Sequence, residues 1–218
     1  HGDLAAEEGC TAEHEEFHPP SPARPGVAGV ARSLRGDARP RLGRMKELAT
    51  ERLVLRQFDD SDVDFVFDLY ARWEVQRFIG RVPRVIADRA EAAERVARNA
   101  AFDDDPHGIW LIAGRDDVRY GTLLLKTLPA SGGAPSTETE IGWHLHPDAW
   151  GRGIATEAAR RVLEHAFDAG LERVLAVTHP DNAASQAVAR RIGMRDEGLT
   201  DAYYDTTCRL FRIDCARG

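Results

Sequence analysis

Apolar positions recur along the chain in two rhythms, and the alternation between them sets the order of elements. Period-two patterns and short apolar runs predict strands over 53–58, 109–113, 121–127, 137–146, 173–178, 198–204 and 208–213. Helical spacing appears first at Val63, Val66, Phe67 and Tyr70, behind a capping stretch Asp59–Asp60–Ser61–Asp62. A second helix is predicted over 87–101. A third carries Ala158, Ala159, Val162, Leu163, Ala166 and Phe167 on one face and stops at Gly170. A fourth has Asn182 as its cap, Val188 and Ile192 on one face and Gly193 as its stop. A strand, two helices, three strands, a helix, a strand, a helix and two strands make an α/β fold on a mixed sheet.

The junction before the third helix carries the chemistry. Ile141–Gly142–Trp143–His144–Leu145–His146–Pro147–Asp148–Ala149–Trp150 runs into Gly151–Arg152–Gly153–Ile154–Ala155–Thr156–Glu157, a strand, a glycine turn and the first turn of a helix. Such a turn gathers free backbone N–H groups at a positive helix terminus, where glycines admit a close ligand, and Arg152 is expected to add a full charge. That is a socket for phosphate, although the same glycines also suit a plain tight connection. A Walker loop is excluded, because Gly153 is followed by Ile154 and Ala155 and not by Lys and Ser or Thr. A dinucleotide fingerprint is excluded too, because Glu157 stands where a third small residue is needed.

The register Trp150–Gly151–Arg152–Gly153–Ile154–Ala155 resembles the pyrophosphate loop of the GNAT superfamily of acyl-CoA-dependent N-acyltransferases. It matches at Gly153 and Ala155 and departs at Trp150, where the superfamily favours Gln or Arg. Asp181–Asn182–Ala183–Ala184–Ser185, leading to Ile192–Gly193–Met194, resembles the Asn-x-x-Ser helix of the ribosomal-protein acetyltransferase (RimJ/RimL-type) branch. Met45–Lys46–Glu47–Leu48–Ala49–Thr50–Glu51–Arg52–Leu53 looks like the usual beginning of that branch. The resemblance implies a GNAT fold from Met45 onward: a mostly antiparallel sheet of about seven strands, helices on both faces, and a splayed strand pair for acyl-CoA.

It also implies roles. Backbone groups at Leu145 and His146 would bond the pantetheine arm, and amides from Gly151 through Arg152, Gly153, Ile154 and Ala155 to Thr156 would hold the pyrophosphate of acetyl-CoA. Trp150 would border that loop and Asn182 would orient the pantetheine. Transfer to an amine requires a base, because an ammonium cannot attack. Glu140 on the motif strand is the first candidate, with Glu138 and His144 on the same face, although a paired carboxylate on a sheet face reads alike. Many GNAT enzymes place an acidic Tyr where this chain has Ala189, so Ser185 is the expected partner of the leaving thiolate, with Tyr203 and Tyr204 as the runner-up pair. The acceptor wall is expected from Trp73, Phe78, Trp143, Tyr203, Tyr204 and Asp205, each of which also suits packing or a turn.

Composition narrows this further. With 218 residues and 43% hydrophobic content the chain can hold one ordinary globular domain, and no stretch reads as a membrane span. A formal charge of -7 argues against nucleic acid as the main partner. Cys10, Cys208 and Cys215 are an odd number without metal-ligand spacing, which suits a reducing, cytoplasmic setting and no metal. Residues 1–44 hold five of the 11 prolines, a single aromatic residue, Phe17, and no apolar periodicity. They are expected to form a disordered tail upstream of a native start at Met45. The reading is therefore an N-acetyltransferase acting from acetyl-CoA on a primary amine, with a homodimer left open. Another acyl-CoA donor, or a non-catalytic CoA-binding module on the same fold, are the alternatives.

Overall fold

A computed structural model describes residues 45–216, so the expected tail over 1–44 lies outside the described residues. The elements run β1 (Leu48–Ala49), β2 (Leu53–Arg56), α1 (Val63–Tyr70), α2 (Trp73–Gln76), α3 (Arg89–Ala100), β3 (Gly108–Gly114) and β4 (Arg119–Thr127). They continue with β5 (Thr139–Leu145), α4 (Ile154–Asp168), β6 (Arg173–Thr178), α5 (Ala183–Arg191), β7 (Arg195–Thr200) and β8 (Cys208–Asp214). One sheet of eight strands forms in the order β1-β2-β3-β4-β5-β6-β8-β7, and every pairing is antiparallel except β5 with β6.

Two details differ from the sequence expectation. The eighth strand is β1, whose two residues are too few to show a period. The strand expected over 198–204 is β7, which begins earlier, directly after the α5 stop at Gly193. Gly198, at φ 90°, is not its start but the site of a register shift against β8. Tyr203 and Tyr204 consequently lie in the β7–β8 connection.

The alternation of side chains divides the core between the sheet faces. Leu53, Leu55, Trp110, Ile112, Leu125 and Ile141 pack against α4, whose Ala158, Ala159, Val162 and Ala166 are fully buried. Small residues at three of those positions let the helix lie close to the sheet. On the opposite face Leu111 meets Val66, Leu69, Tyr70, Ala92 and Val96 of α1 and α3. The caps expected at Asp59 and Asn182 are present, accepting from the Ser61 N–H at 2.8 Å and the Ser185 N–H at 3.1 Å, and Asp88 caps α3 in the same way, accepting from the Glu91 N–H at 3.0 Å.

One buried charge ties the α1 side together. Asp62 has no exposed surface and receives Arg56 Nη1 at 2.8 Å, Arg56 Nη2 at 2.9 Å and Arg119 Nε at 2.7 Å, joining β2, α1 and β4. Burial works to raise its pKa, but the hydrogen bonds from Arg56 and Arg119 outweigh it and hold the carboxyl below its usual value. A depressed carboxylate contributes stability above its unfolded pKa, about 3.9, and loses it as pH falls through the folded value. Asp62→Ala should lower the unfolding free energy near neutral pH by about 2 kcal/mol, because it removes charge-assisted hydrogen bonds and leaves Arg56 and Arg119 only the exposed carboxylates of Asp59 and Asp117. Urea denaturation should show that gap to the wild type closing in acid.

Candidate active site

β5 and β6 touch through a single register pair, Glu140 with Leu175, whereas β4 and β5 share seven pairs. Past that rung the two strands diverge toward Leu145 and Thr178. The His146 N–H donates to the Tyr120 carbonyl at 2.9 Å, so by antiparallel alternation His144 and Gly142 also turn their backbone groups toward β4. Trp143 and Leu145 then direct theirs into the gap. The gap belongs to an open cleft of about 1650 Å³ lined by β5, the glycine turn, the starts of α4 and α5 and the segment after α2.

At the glycine turn the expected cradle is present. Gly151 and Gly153 lie at φ 72° and 77°, a left-handed backbone that side chains disfavour, and α4 begins at Ile154. The N–H groups of Ile154, Ala155 and Thr156 have no partner within the helix and sit at its positive end.

Two residues of the expected set act otherwise. Arg152 does not face the cradle: its guanidinium lies 5.1 Å from the centre of the Tyr120 ring. The neighbouring charge comes from Arg52, whose Nη2 is 3.7 Å from where a Gly153 Cβ would stand. Arg52 is held by Glu157, Nε to Oε2 2.7 Å, and the same carboxylate receives the Thr50 hydroxyl at 2.5 Å. His146 is unavailable to a pantetheine arm, because its N–H is bonded to Tyr120 and its carbonyl accepts from Ala149 at 2.9 Å. Its ring is held by Asp68 at 3.1 Å and by the Asp148 N–H at 3.2 Å. Trp150, 49% exposed, donates its indole N–H to the Leu145 carbonyl at 3.0 Å, covering one of the backbone groups that face the gap.

Glu140 sits at the rung itself. It is 5% exposed, lines the cleft, receives the Tyr204 hydroxyl and lies 3.3 Å from Lys126 Nζ, its partner in the β4–β5 register. Burial pushes its pKa up, against the opposing pull of Lys126 and Tyr204. The Tyr204 pKa is also raised, by burial first and then by Glu140, so its hydroxyl stays a neutral donor to the carboxylate. The Tyr204 proton is directed at Glu140. Its backbone is left-handed at φ 58°, and the turn is fixed to the β4–β5 connection by Tyr204 N–H to Pro129 O, Ser131 N–H to Ala202 O and Gly132 N–H to the Asp205 carboxylate. Asp205 is therefore a turn residue. Glu138 lies outside the lining, 3.5 Å from Arg173. His144 lines the cleft with its pKa lowered to about 3 by burial and then by Arg95 and Lys126, and its Nδ1 is 3.0 Å from the Tyr70 hydroxyl.

Across the gap, Asn182 and Ser185 line the cleft at the start of α5. The Asn182 oxygen is occupied by the cap bond, which leaves its amide N–H groups for a ligand. Thr178, at the end of β6, was not anticipated: its hydroxyl is buried, without a hydrogen-bond partner among the described residues, and the residue lines the cleft. Of the expected acceptor wall, Phe78 lines the cleft with its ring centre 5.2 Å from that of His179. Trp143 lines it from the α4 side of β5, opposite to Glu140, where it packs on the core. Trp73 is 56% exposed at the start of α2 and outside the lining, because that short helix buries Val75 and Gln76 instead. Tyr203 is outside too, bridged to Ala130.

Residues 52–195 match the Acetyltransferase (GNAT) domain family, and the chain belongs to that family of acyltransferases. It is 31% identical over 159 residues to the uncharacterized N-acetyltransferase YoaA of Bacillus subtilis (strain 168), covering 72% of this chain and 86% of that one. The fold is shared with an acetyltransferase from Agrobacterium tumefaciens str. C58, at 23% identity and TM-score 0.63 over 86% of this chain and 99% of that one. It is shared equally with RimL, a ribosomal L7/L12 alpha-N-protein acetyltransferase solved in complex with coenzyme A, at 20% identity and TM-score 0.64 over 78% and 98%.

Gly153→Val puts a branched side chain on a left-handed residue at the helix terminus. Acetyl-CoA affinity measured by calorimetry should fall at least about tenfold, consistent with a backbone strain of roughly 1–3 kcal/mol and loss of the cradle. Wild-type affinity would remove the turn from the binding site.

Proposed function

We propose that the protein transfers the acetyl group of acetyl-CoA to a primary amine, by direct attack while both substrates occupy the cleft. The observation that carries this reading is the one-rung β5–β6 junction, which leaves strand-edge groups of Trp143 and Leu145 beside a helix terminus rich in free N–H groups. RimL, which shares the fold, is seen with coenzyme A, and that supports the choice of donor. The amides of Ile154, Ala155 and Thr156 take the pyrophosphate, with Arg52 as the nearby cation. The Leu145 N–H and the Trp143 backbone take the pantetheine amides, and Asn182 and Thr178 supply polar contacts from the other wall. With the Leu145 carbonyl covered by the Trp150 indole, Trp143 is the strand-edge carbonyl left to accept from the arm.

The acceptor reaches the cleft mostly as an ammonium, and its proton must leave before nitrogen can attack. Glu140 accepts that proton. Its burial raises the basicity of the carboxylate toward neutrality, where a base is both ionised and able to hold what it takes. Lys126 and Tyr204 orient it. Nitrogen then bonds to the acyl carbon, the carbon–sulfur bond breaks, and the second proton that nitrogen must lose passes to the departing thiolate, which the Ser185 hydroxyl hydrogen-bonds, leaving the neutral amide and the CoA thiol while Glu140 returns its proton to solvent. Cys208 and Cys215 are free thiols, which agrees with a reducing, cytoplasmic setting.

Thiol release from acetyl-CoA over a panel of amines tests the assignment; CoA binding without release on any amine would contradict it. Because Glu140 must be ionised to act, kcat/KM should rise with pH through its raised pKa. Glu140→Gln should lower kcat about 100-fold, within the usual range for a lost general base, and flatten that limb of the profile. An unchanged profile would remove Glu140 from the role of base.

A further inference from the structure

Half of the twelve charged side chains lining the cleft cancel in pairs, Arg52 with Glu157, Lys126 with Glu140 and Arg161 with Glu164, and of the two other lining carboxylates, Glu51 and Glu74, the latter lies 3.9 Å from Arg72. Four arginines in the same lining have no carboxylate within ion-pair distance among the described residues, and they fall into two groups. Arg160 on α4 and Arg191 at the end of α5 are joined, Arg160 Nη2 donating to the Arg191 carbonyl at 2.7 Å. They stand on the helices that flank the cradle, where the phosphates of the donor belong. Arg77 and Arg81 are on a different element, the connection from α2 to α3. A chain of net charge -7 does not gather uncompensated cations by default.

Arg77 and Arg81 are exposed where they line the cleft, within reach of an anion from solvent. The Arg77 guanidinium lies 4.6 Å from the centre of the Phe78 ring, a cation–π contact. The other neighbour of Phe78 is His179, the residue after β6, so the segment reaches across to the strand that forms one wall of the gap. Inside, the rung offers the opposite character, a buried carboxylate at Glu140.

Resting on the acetyl-transfer reading, we propose that the acceptor is an amine carrying a carboxylate nearby, with the nitrogen presented to Glu140 and the carboxylate held by Arg77 and Arg81. Two sources have this chemistry: a free amino acid, and a peptide N-terminus followed by acidic side chains. Arginine suits either, because its planar fork matches a carboxylate with two parallel hydrogen bonds.

The test uses the full chain with saturating acetyl-CoA and two pairs of acceptors. One pair is free amino acids against their methyl esters; the other is hexapeptides with Asp against Lys at the second and third positions. The carboxylate form should be preferred in kcat/KM by about tenfold in one arm, the discrimination two solvent-screened charge pairs supply, and that arm names the source. In Arg77→Ala/Arg81→Ala the preference should collapse toward unity while acetyl-CoA affinity, measured by calorimetry, shows the cleft still formed. Arg81→Glu should turn the peptide preference toward Lys. Thiol release without preference for the carboxylate in either arm, or a preference that survives the double variant, would overturn the proposal and leave acetyl transfer standing. Absence of release with every amine would overturn both.

Discussion

The rung between Glu140 and Leu175 is where the sheet stays whole and where it opens. Had β5 and β6 paired along their length, the backbone of Trp143 and Leu145 would be satisfied within the sheet and no edge would remain for an extended ligand. Had they not paired at all, β6, β8 and β7 would form a separate sheet. One rung holds the two halves in register while freeing strand edge next to the α4 terminus. The residue at the rung also bears the buried carboxylate, so the place where a ligand would enter and the group that would act on it are fixed by the same backbone contact.

Around that junction the charges are arranged to hold geometry. Glu157 takes Arg52 and Thr50 across more than a hundred residues of sequence, which fastens the β1–β2 turn to the first turn of α4. On the other face Asp62 joins β2, α1 and β4. Tyr204 reaches Glu140 from a left-handed turn that is itself tied to the β4–β5 connection, so the far hairpin contributes to the site without any regular strand passing through it.

The elements that were legible in the sequence are those whose signals are local. Helix caps at Asp59 and Asn182, the stops at Gly170 and Gly193, and the glycines of the turn each declare a backbone conformation through their own chemistry. Long-range partners have no such signature. Nothing near Arg152 says that its guanidinium will rest on Tyr120 while Arg52 takes the place beside Gly153, although Arg52 lies in a stretch that resembles the family's beginning. Likewise His146 looks free until the register places its N–H on Tyr120, and Trp73 and Tyr203 differ from Phe78 and Tyr204 only in where short irregular segments point them. Strand alternation did place Glu140 and His144 on one face. It could not show that Lys126 stands opposite Glu140, because that depends on the pairing of β4 with β5.

The central claim is that the parted strands and the α4 terminus together form one binding site for an acyl-CoA. Amide hydrogen exchange with and without coenzyme A measures this residue by residue. Slowed exchange should appear at Leu145 on the free strand edge and at Ile154, Ala155 and Thr156, while β7 stays unchanged. Protection confined to other surfaces, with exchange at these amides unaltered by saturating coenzyme A, would contradict it.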